Sequence, residues 1–508
     1  MKKYLAYFLL FGAGTLFFGF YSLLGFDLHH DGIMFKAAVD VASGKVPFRE
    51  TFAQYGILTP LLQGAFIRIF GAELVVLKLL TALFYGGSLV VFDRICQRFF
   101  EQKEWYYRAL CILMYFLLSA DCCVTAHPWA SVYALFFLLL AIHFSLRFLE
   151  DEKQAVKYAV SAGLSAGVMF GLRQPCGLTA FLSAALFAFL LFSCDRKKAL
   201  QYAAGFFSGA AALLAVYAVL ITCWNAWSDY ILQTWSHALS FALKRGSGSG
   251  AYGDFVINFF PFITGDRGYI DAVFAVFPLL TIGMLGYFFL SGKWKAQLPM
   301  VLLILFALGA WHQYYPVPCM RHLYWAAVPM MAVSVYAAKQ MISSGNIRGK
   351  IVVGILAILL IFPMAFRGYF GARRIYTVSR RHTSPVRGVR GLLLFEHEAR
   401  ISKIINDFNV SLPAEIRKRG VFNHTPDGVW SVVLPPCRSF KHPMFCRLGD
   451  QIYPDYDREA YRYCIENRPV VISSIWQSLP GYVMVSPLSY NGVNYFLLFP
   501  QELLPGMR

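Results

Sequence analysis

The 508-residue chain is 58 % hydrophobic and only 15 % charged, with a mean hydropathy of +0.53. A soluble domain is roughly 45–50 % apolar and about 25 % charged, so that class is excluded. The formal net charge of +18 does not point to nucleic acid, because much of it lies in short loops between apolar runs, where Lys and Arg orient a membrane protein.

The first apolar run extends from Tyr4 to about Gly25 behind "MKK". It is too long for a signal peptide and no A-x-A-like cleavage site follows, so it reads as a retained first transmembrane helix. Further spans are predicted at 73–93, 109–122, 129–146, 156–172, 176–194, 201–223, 272–291, 297–310, 322–338 and 350–367. That gives about eleven helices in an all-α polytopic membrane bundle, most of them long enough for a ~30 Å hydrocarbon core. With the N-terminus cytoplasmic, the inner loops hold Arg94, Arg98, Lys103 and Arg108, then Arg147, Lys153 and Lys157, then "DRKK", "KWK", and Lys339, Arg348 and Lys350. The longer loops on the other side carry fewer basic residues, so they are assigned to the outer face of the cell membrane.

The first outer loop, 27–71, opens with "DLHHDG". The following "GIMFKAAVDVA" and "ILTPLLQGAFIRIFG" read as short helices on the membrane face, joined by the turn-rich "SGKVPFRETF". The second, 225–270, contains "KRGSGSGAYGDF", a lid or a linker. From Arg367 onward there are 19 basic residues against 11 acids. Residues 368–390 are read as a basic juxtamembrane linker facing lipid phosphates, acidic glycans or solvent. Residues 391–508 are read as a small external α/β domain, with helices in "FEHEARISKIINDF" and "REAYRYCIEN" and strands in "VVISSIW", "YVMVS" and "VNYFLLF". The eleven Cys contain no C-x-x-C; Cys437 and Cys446 either pair or stay free. No phosphate-binding glycine loop is present.

Polar candidates converge on the outer ends of the spans. Asp27, His30 and Asp31 follow the first helix. Arg173 and Gln174 lie in "GLRQPCG", and His312, Gln313, Tyr314, Arg321 and His322 in "WHQYYPVPCMRHLYW". Tyr55 joins them as a substrate-binding candidate. Each has a plainer reading: Asp31 and Asp27 as helix caps, the arginines snorkelling to headgroups, the tyrosines as an aromatic belt. Carboxylate, imidazole and guanidinium at one depth suit a phosphorylated lipid substrate. Arg offers a rigid fork to phosphate, and a carboxylate can take a proton from an acceptor hydroxyl.

These residues resemble the polytopic GT-C glycosyltransferases, which include protein mannosyltransferases and lipid A aminoarabinose transferases. "HHDGIMFKAAVDVASGKVPFRETFAQYG" is similar to the segment after the first helix of that family, and "CMRHLYWAAVP" resembles its R-Y-x-x-x-x-x-P segment. The resemblance implies a bundle with loop helices on its outer face, and inverting transfer from a polyprenyl-phosphate-linked sugar to an envelope acceptor (lipid, polysaccharide or protein). Asp31 would be the base, with Arg321 first and Arg173 second near the donor phosphate. The family pattern is Asp-Glu, whereas this chain has His30-Asp31-Gly32 with a further acid at Asp27, so His30 and Asp27 share the catalytic candidacy.

Two adjacent His and one Asp lack a convincing metal spacing, so no cofactor is expected, although a divalent metal is not excluded. Two rival classes are weighed. A transporter or lipid flippase places its charges near the midplane, commonly with repeated halves, and neither is visible. An O-antigen-ligase or polymerase-like enzyme would use His237, Lys244, Arg245 or Arg267 of the second outer loop.

Overall fold

The computed structural model describes residues 2–27, 30–53, 55–120, 127–236, 239, 273–314, 320–428, 430–434, 440–442, 456–476, 478–490 and 493–503. His237, Lys244, Arg245, Arg267, Cys437 and Cys446 fall outside these residues.

Among the described residues, eleven helices lie where the sequence placed eleven spans, two of them only 13 and 15 residues long. They are α1 (Lys2–Ser22), α4 (Leu74–Phe99), α5 (Trp105–Ala120), α6 (Ala130–Glu150), α7 (Ala155–Leu172), α8 (Gln174–Phe192), α9 (Arg196–Cys223), α11 (Val276–Leu290), α12 (Leu298–Ala310), α13 (Met320–Ser343) and α14 (Ile347–Tyr376). Among the described residues, seven helices are long and apolar enough to cross a membrane. The outward faces of α1 and α14 expose Leu5, Phe8, Leu9, Ile351, Ile355, Ile358 and Phe362, a surface that hydrocarbon tolerates and water does not. The chain is a membrane protein. Two short helices between α1 and α4, α2 (His30–Ala42) and α3 (Leu58–Phe70), pack on each other at one end of the bundle. A short α10 (Trp227–Ile231) follows α9.

The last bundle helix runs to Tyr376, nine residues beyond the predicted end, and carries Arg373 and Arg374 in its final turn. Cations there face the unpaired carbonyls of a helix C-terminus, so the basic sequence continues the helix instead of breaking it. Beyond it, β1 (Arg381–Thr383) pairs antiparallel with β2 (Leu393–Phe395), and Val386 and Val389 are buried in a shared core. The segment expected to be a linker is therefore packed structure.

The C-terminal domain continues with α15 (Glu396–Ser411), α16 (Ala414–Arg419), β3 (Val421–His424), α17 (Trp430–Val433), α18 (Tyr456–Asn467), β4 (Val470–Ser473), β5 (Tyr482–Tyr490) and β6 (Val493–Pro500). Its sheet has the order β3-β4-β6-β5, with β3 and β4 parallel and the remaining pairs antiparallel. Both parallel strands are buried throughout, as strands covered on two faces must be.

This domain is woven into the loop that carries the candidate acids. The Leu393 amide donates to the Leu23 carbonyl at 2.7 Å, and Leu24 bridges Leu393. The Leu74 amide donates to the Gly388 carbonyl at 2.8 Å, and the Phe52 amide to the Lys441 carbonyl at 2.9 Å. One apolar core joins Phe26 and Phe35 of that loop to Leu394, Ile401 and Trp430 of the domain.

Candidate active site

The first link is a helix start. The Asp27 carboxylate accepts the His30 backbone amide at 2.7 Å and the His30 ring Nδ1 at 2.9 Å. In return, the Asp27 amide donates to Asp31 Oδ2 at 2.9 Å. Asp27 thus caps the start of α2 and Asp31 caps Asp27 in turn, and the two acids are held on one short stretch at the start of the helix.

Two residues absent from the sequence-derived site complete the cluster. Lys78 of α4 reaches Asp31 Oδ2 at 3.0 Å and the Gly25 carbonyl at 3.1 Å. His127, just before α6, places Nδ1 3.2 Å from Asp31 Oδ1 and Nε2 3.9 Å from Asp27 Oδ2. Lys78 is fully buried and Asp31 is 1 % exposed. Burial opposes ionisation of Asp31, but the Lys78 charge and the His127 hydrogen bond hold its carboxyl below the ordinary carboxylate range. Burial opposes it at Asp27 too, where His30 and His127 together push the carboxyl well down. Burial also lowers His127, against the pull of Asp31. Asp31 is thereby committed to three donors, while Asp27 keeps a side chain 20 % exposed. Of the two acids, Asp27 is the more exposed, although it too accepts the His30 amide and ring.

Arg321, at the start of α13, approaches Asp27 Oδ2 with Nη2 at 3.9 Å. Arg173 lies at the junction of α7 and α8, its guanidinium 5.3 Å above the Tyr55 ring. Tyr55 is fixed by its neighbours: the Gly56 amide and the Thr59 hydroxyl both donate to the Leu172 carbonyl, at 3.1 and 3.0 Å. Only glycine fits at 56, since a Cβ there would lie 2.0 Å from the Gly171 carbonyl oxygen. Trp129 stands edge-on to both Tyr55 and His30, each at 5.3 Å, and so connects Arg173 to the acid cluster.

Beyond Arg173 the turn 311–314 packs on α8 and α13. It buries Gln313 and Tyr314 and brings the half-buried His312 within electrostatic reach of Arg173. Gln174 is also buried. Arg173 Nη1, Gln174 Nε2 and both polar side-chain atoms of Gln313 have no hydrogen-bond partner among the described residues. Leaving such buried groups unpaired costs about 1–3 kcal/mol each, a penalty that a polar ligand would remove. The His322 ring packs against Trp325 at 5.5 Å.

Asp27, His30 and His127 bring together one carboxylate oxygen and two imidazole nitrogens within 4.8 Å of one another. The chain was expected to need no metal, yet this donor set is one a divalent cation accepts. Asp27 Oδ1 already takes His30 Nδ1, so an ion would have to replace that bond.

No protein-family model matches the chain, and no curated protein does either. Solved structures do. ArnT from Cupriavidus metallidurans in the apo state aligns with a TM-score of 0.58 at 13 % identity, over 98 % of each chain. The same protein bound to undecaprenyl phosphate aligns at 0.55 and 13 %, over 97 % of this chain and 98 % of that one. The Archaeoglobus fulgidus oligosaccharyltransferase tethered to an acceptor peptide aligns at 0.57 and 12 %, over 98 % of this chain and 75 % of its own. The chain has the GT-C fold. Within the GT-C bundle, the acid cluster occupies the segment after the first spanning helix, where the sequence resemblance placed the loop acid. The C-terminal domain with its strands likewise has a counterpart in these neighbours.

Proposed function

We propose that the protein is a membrane glycosyltransferase that moves a sugar from a polyprenyl-phosphate donor to a hydroxyl of an envelope acceptor, at the outer face of the membrane. One observation carries the reading. A carboxylate pair tied to His127 and Lys78 is linked through Trp129 and Tyr55 to a buried arginine, Arg173, whose Nη1 has no hydrogen-bond partner among the described residues. Two structural neighbours support it: ArnT bound to undecaprenyl phosphate, and the archaeal oligosaccharyltransferase AglB from Archaeoglobus fulgidus in complex with an inhibitory peptide and a dolichol-phosphate.

Asp27 replaces Asp31 as the general base, because Asp31 is consumed by Lys78, His127 and the Asp27 amide. The acceptor oxygen forms a bond to the anomeric carbon as its proton passes to Asp27. The bond from that carbon to the phosphate oxygen breaks with inversion, and its electron pair leaves with polyprenyl phosphate. Arg321 and Arg173 meet the charge developing on that phosphate, with Gln174, Gln313, His312 and Tyr314 grouped near Arg173. Tyr55 and Trp129 form an apolar wall for a sugar ring. A divalent ion held by Asp27, His30 and His127 would instead take Asp27 out of proton transfer. No nucleotide and no nucleic acid enters the scheme.

The test is release of free polyprenyl phosphate by the protein in membranes, across a panel of polyprenyl-phosphate sugars, followed by mass spectrometry. Asp27→Asn is expected to lose about 10²–10⁴-fold in turnover while keeping the wild-type melting temperature. Release that is insensitive to Asp27→Asn removes the base assignment. No release from any donor brings the transporter and ligase readings forward.

A further inference from the structure

The C-terminal domain also meets α2 directly, next to the acids. A Cβ at Gly32, next to Asp31, would fall 1.7 Å from the Gly428 carbonyl oxygen and 2.5 Å from its Cα. Two backbones therefore meet with no side chain between them, and α2 packs against α17 at this place. The loop on the domain side is rigidly built. Thr425 N and Oγ1 both donate to Asn423 Oδ1, at 3.1 and 2.8 Å. The Asp427 amide donates to Thr425 Oγ1 at 3.1 Å, and Asn423 Nδ2 donates to the Asp427 carbonyl at 3.0 Å. The Tyr495 hydroxyl donates to the Asp427 carboxylate, and the Tyr495 ring packs edge-on against Trp430 at 5.0 Å. The Gly428 carbonyl accepts the Ser431 amide at 3.0 Å, so the atom that touches Gly32 is itself fixed.

The same stretch is gripped at its other end by the Leu393–Leu23 hydrogen bond. Residues 23–32, which hold both acids, are thus clamped at each end by backbone of the C-terminal domain. We infer that the 423–428 loop, locked by Tyr495 and Thr425, is a positioning device that sets the acids for transfer without touching the substrate. This rests on the function proposed above. A near-attack geometry loses rate steeply when a reacting group shifts by an ångström, so slack in the loop should reach kcat before it reaches the fold.

The experiment uses Tyr495→Phe, which removes one hydroxyl, and the near-isosteric Thr425→Val as a second variant should the first fail to fold. In the full-length protein, the expected result is a kcat lower by about tenfold with donor KM changed less than twofold. Hydrogen exchange should quicken in the peptide covering 23–32 and not in the bundle helices. In an Asp27→Asn background the same substitution should change the residual rate less than twofold, because the residue it positions is gone. Unchanged exchange at 23–32, unchanged kcat, or an equal loss in both backgrounds overturns the inference. Wild-type turnover by Asp27→Asn alone removes the base assignment and no release from any donor overturns the function, and in either case the exchange measurement still decides whether the loop clamps the segment.

Discussion

Lys78 and Asp31 meet at 3.0 Å with neither side chain more than 1 % exposed. Two ions buried at the mouth of a bundle hold only as long as both are present. Losing one partner strands a charge, which typically costs about 3–5 kcal/mol. Lys78→Met or Asp31→Asn should therefore lower the melting temperature in detergent sharply. The double variant Asp31→Asn/Lys78→Met should melt above either single one, because it leaves no stranded charge. Additive losses would show that the two groups are not coupled.

Arg173 should behave in the opposite way. Its guanidinium is buried, with Nη1 unsatisfied among the described residues, so its removal relieves the fold. Arg173→Gln is expected to melt at or above the wild-type temperature while losing about 10²–10³-fold in turnover. A stability loss with unaltered turnover would make Arg173 a structural residue.

Chelation separates the two uses of the imidazoles. With Asp27 already bonded to His30, turnover should survive exhaustive treatment with EDTA. Loss that Mn²⁺ or Zn²⁺ restores would assign Asp27, His30 and His127 as ligands and take Asp27 out of proton transfer.

The C-terminal domain should weaken in acid through His424. Burial pushes its imidazole down to about 3, although Asp457 lies 3.2 Å from Nε2. The unfolded chain takes up that proton near pH 6.5, so the stability is present above about 6.5 and is lost as pH falls toward 3. The slope is at most about 1.4 kcal/mol per pH unit. Melting of the domain followed between pH 7 and 4 should show it, and His424→Gln should flatten it.

The bundle was legible because its signal is local: each span declares itself within about twenty apolar residues. The cluster of Asp27, His30 and Asp31 was legible for the same reason. Their division of labour was not, since it depends on Lys78 and His127, which are far away in sequence. Both had left a trace. Lys78 is a lone charge inside "LVVLKLLTALF", and an ionisable group within a span usually faces a cavity. His127 lies in "AHPWA", a short loop that the same topology puts beside the first outer loop. The end of α14 was misjudged because hydropathy stops at the membrane boundary, whereas helical hydrogen bonding does not.

The Leu393–Leu23 bond also bears on how the protein is made. A chain emerging from the ribosome can insert its spans one after another, and domains tend to fold in that order. The carbonyl of Leu23 nevertheless finds its partner only after the bundle helices through Tyr376 have been synthesised, and Gly32 meets Gly428 later still. The first loop to be translated is thus the last to be finished. A nascent chain already lodged in the bilayer would lack these contacts around its acids until its C-terminal domain had folded back onto its beginning.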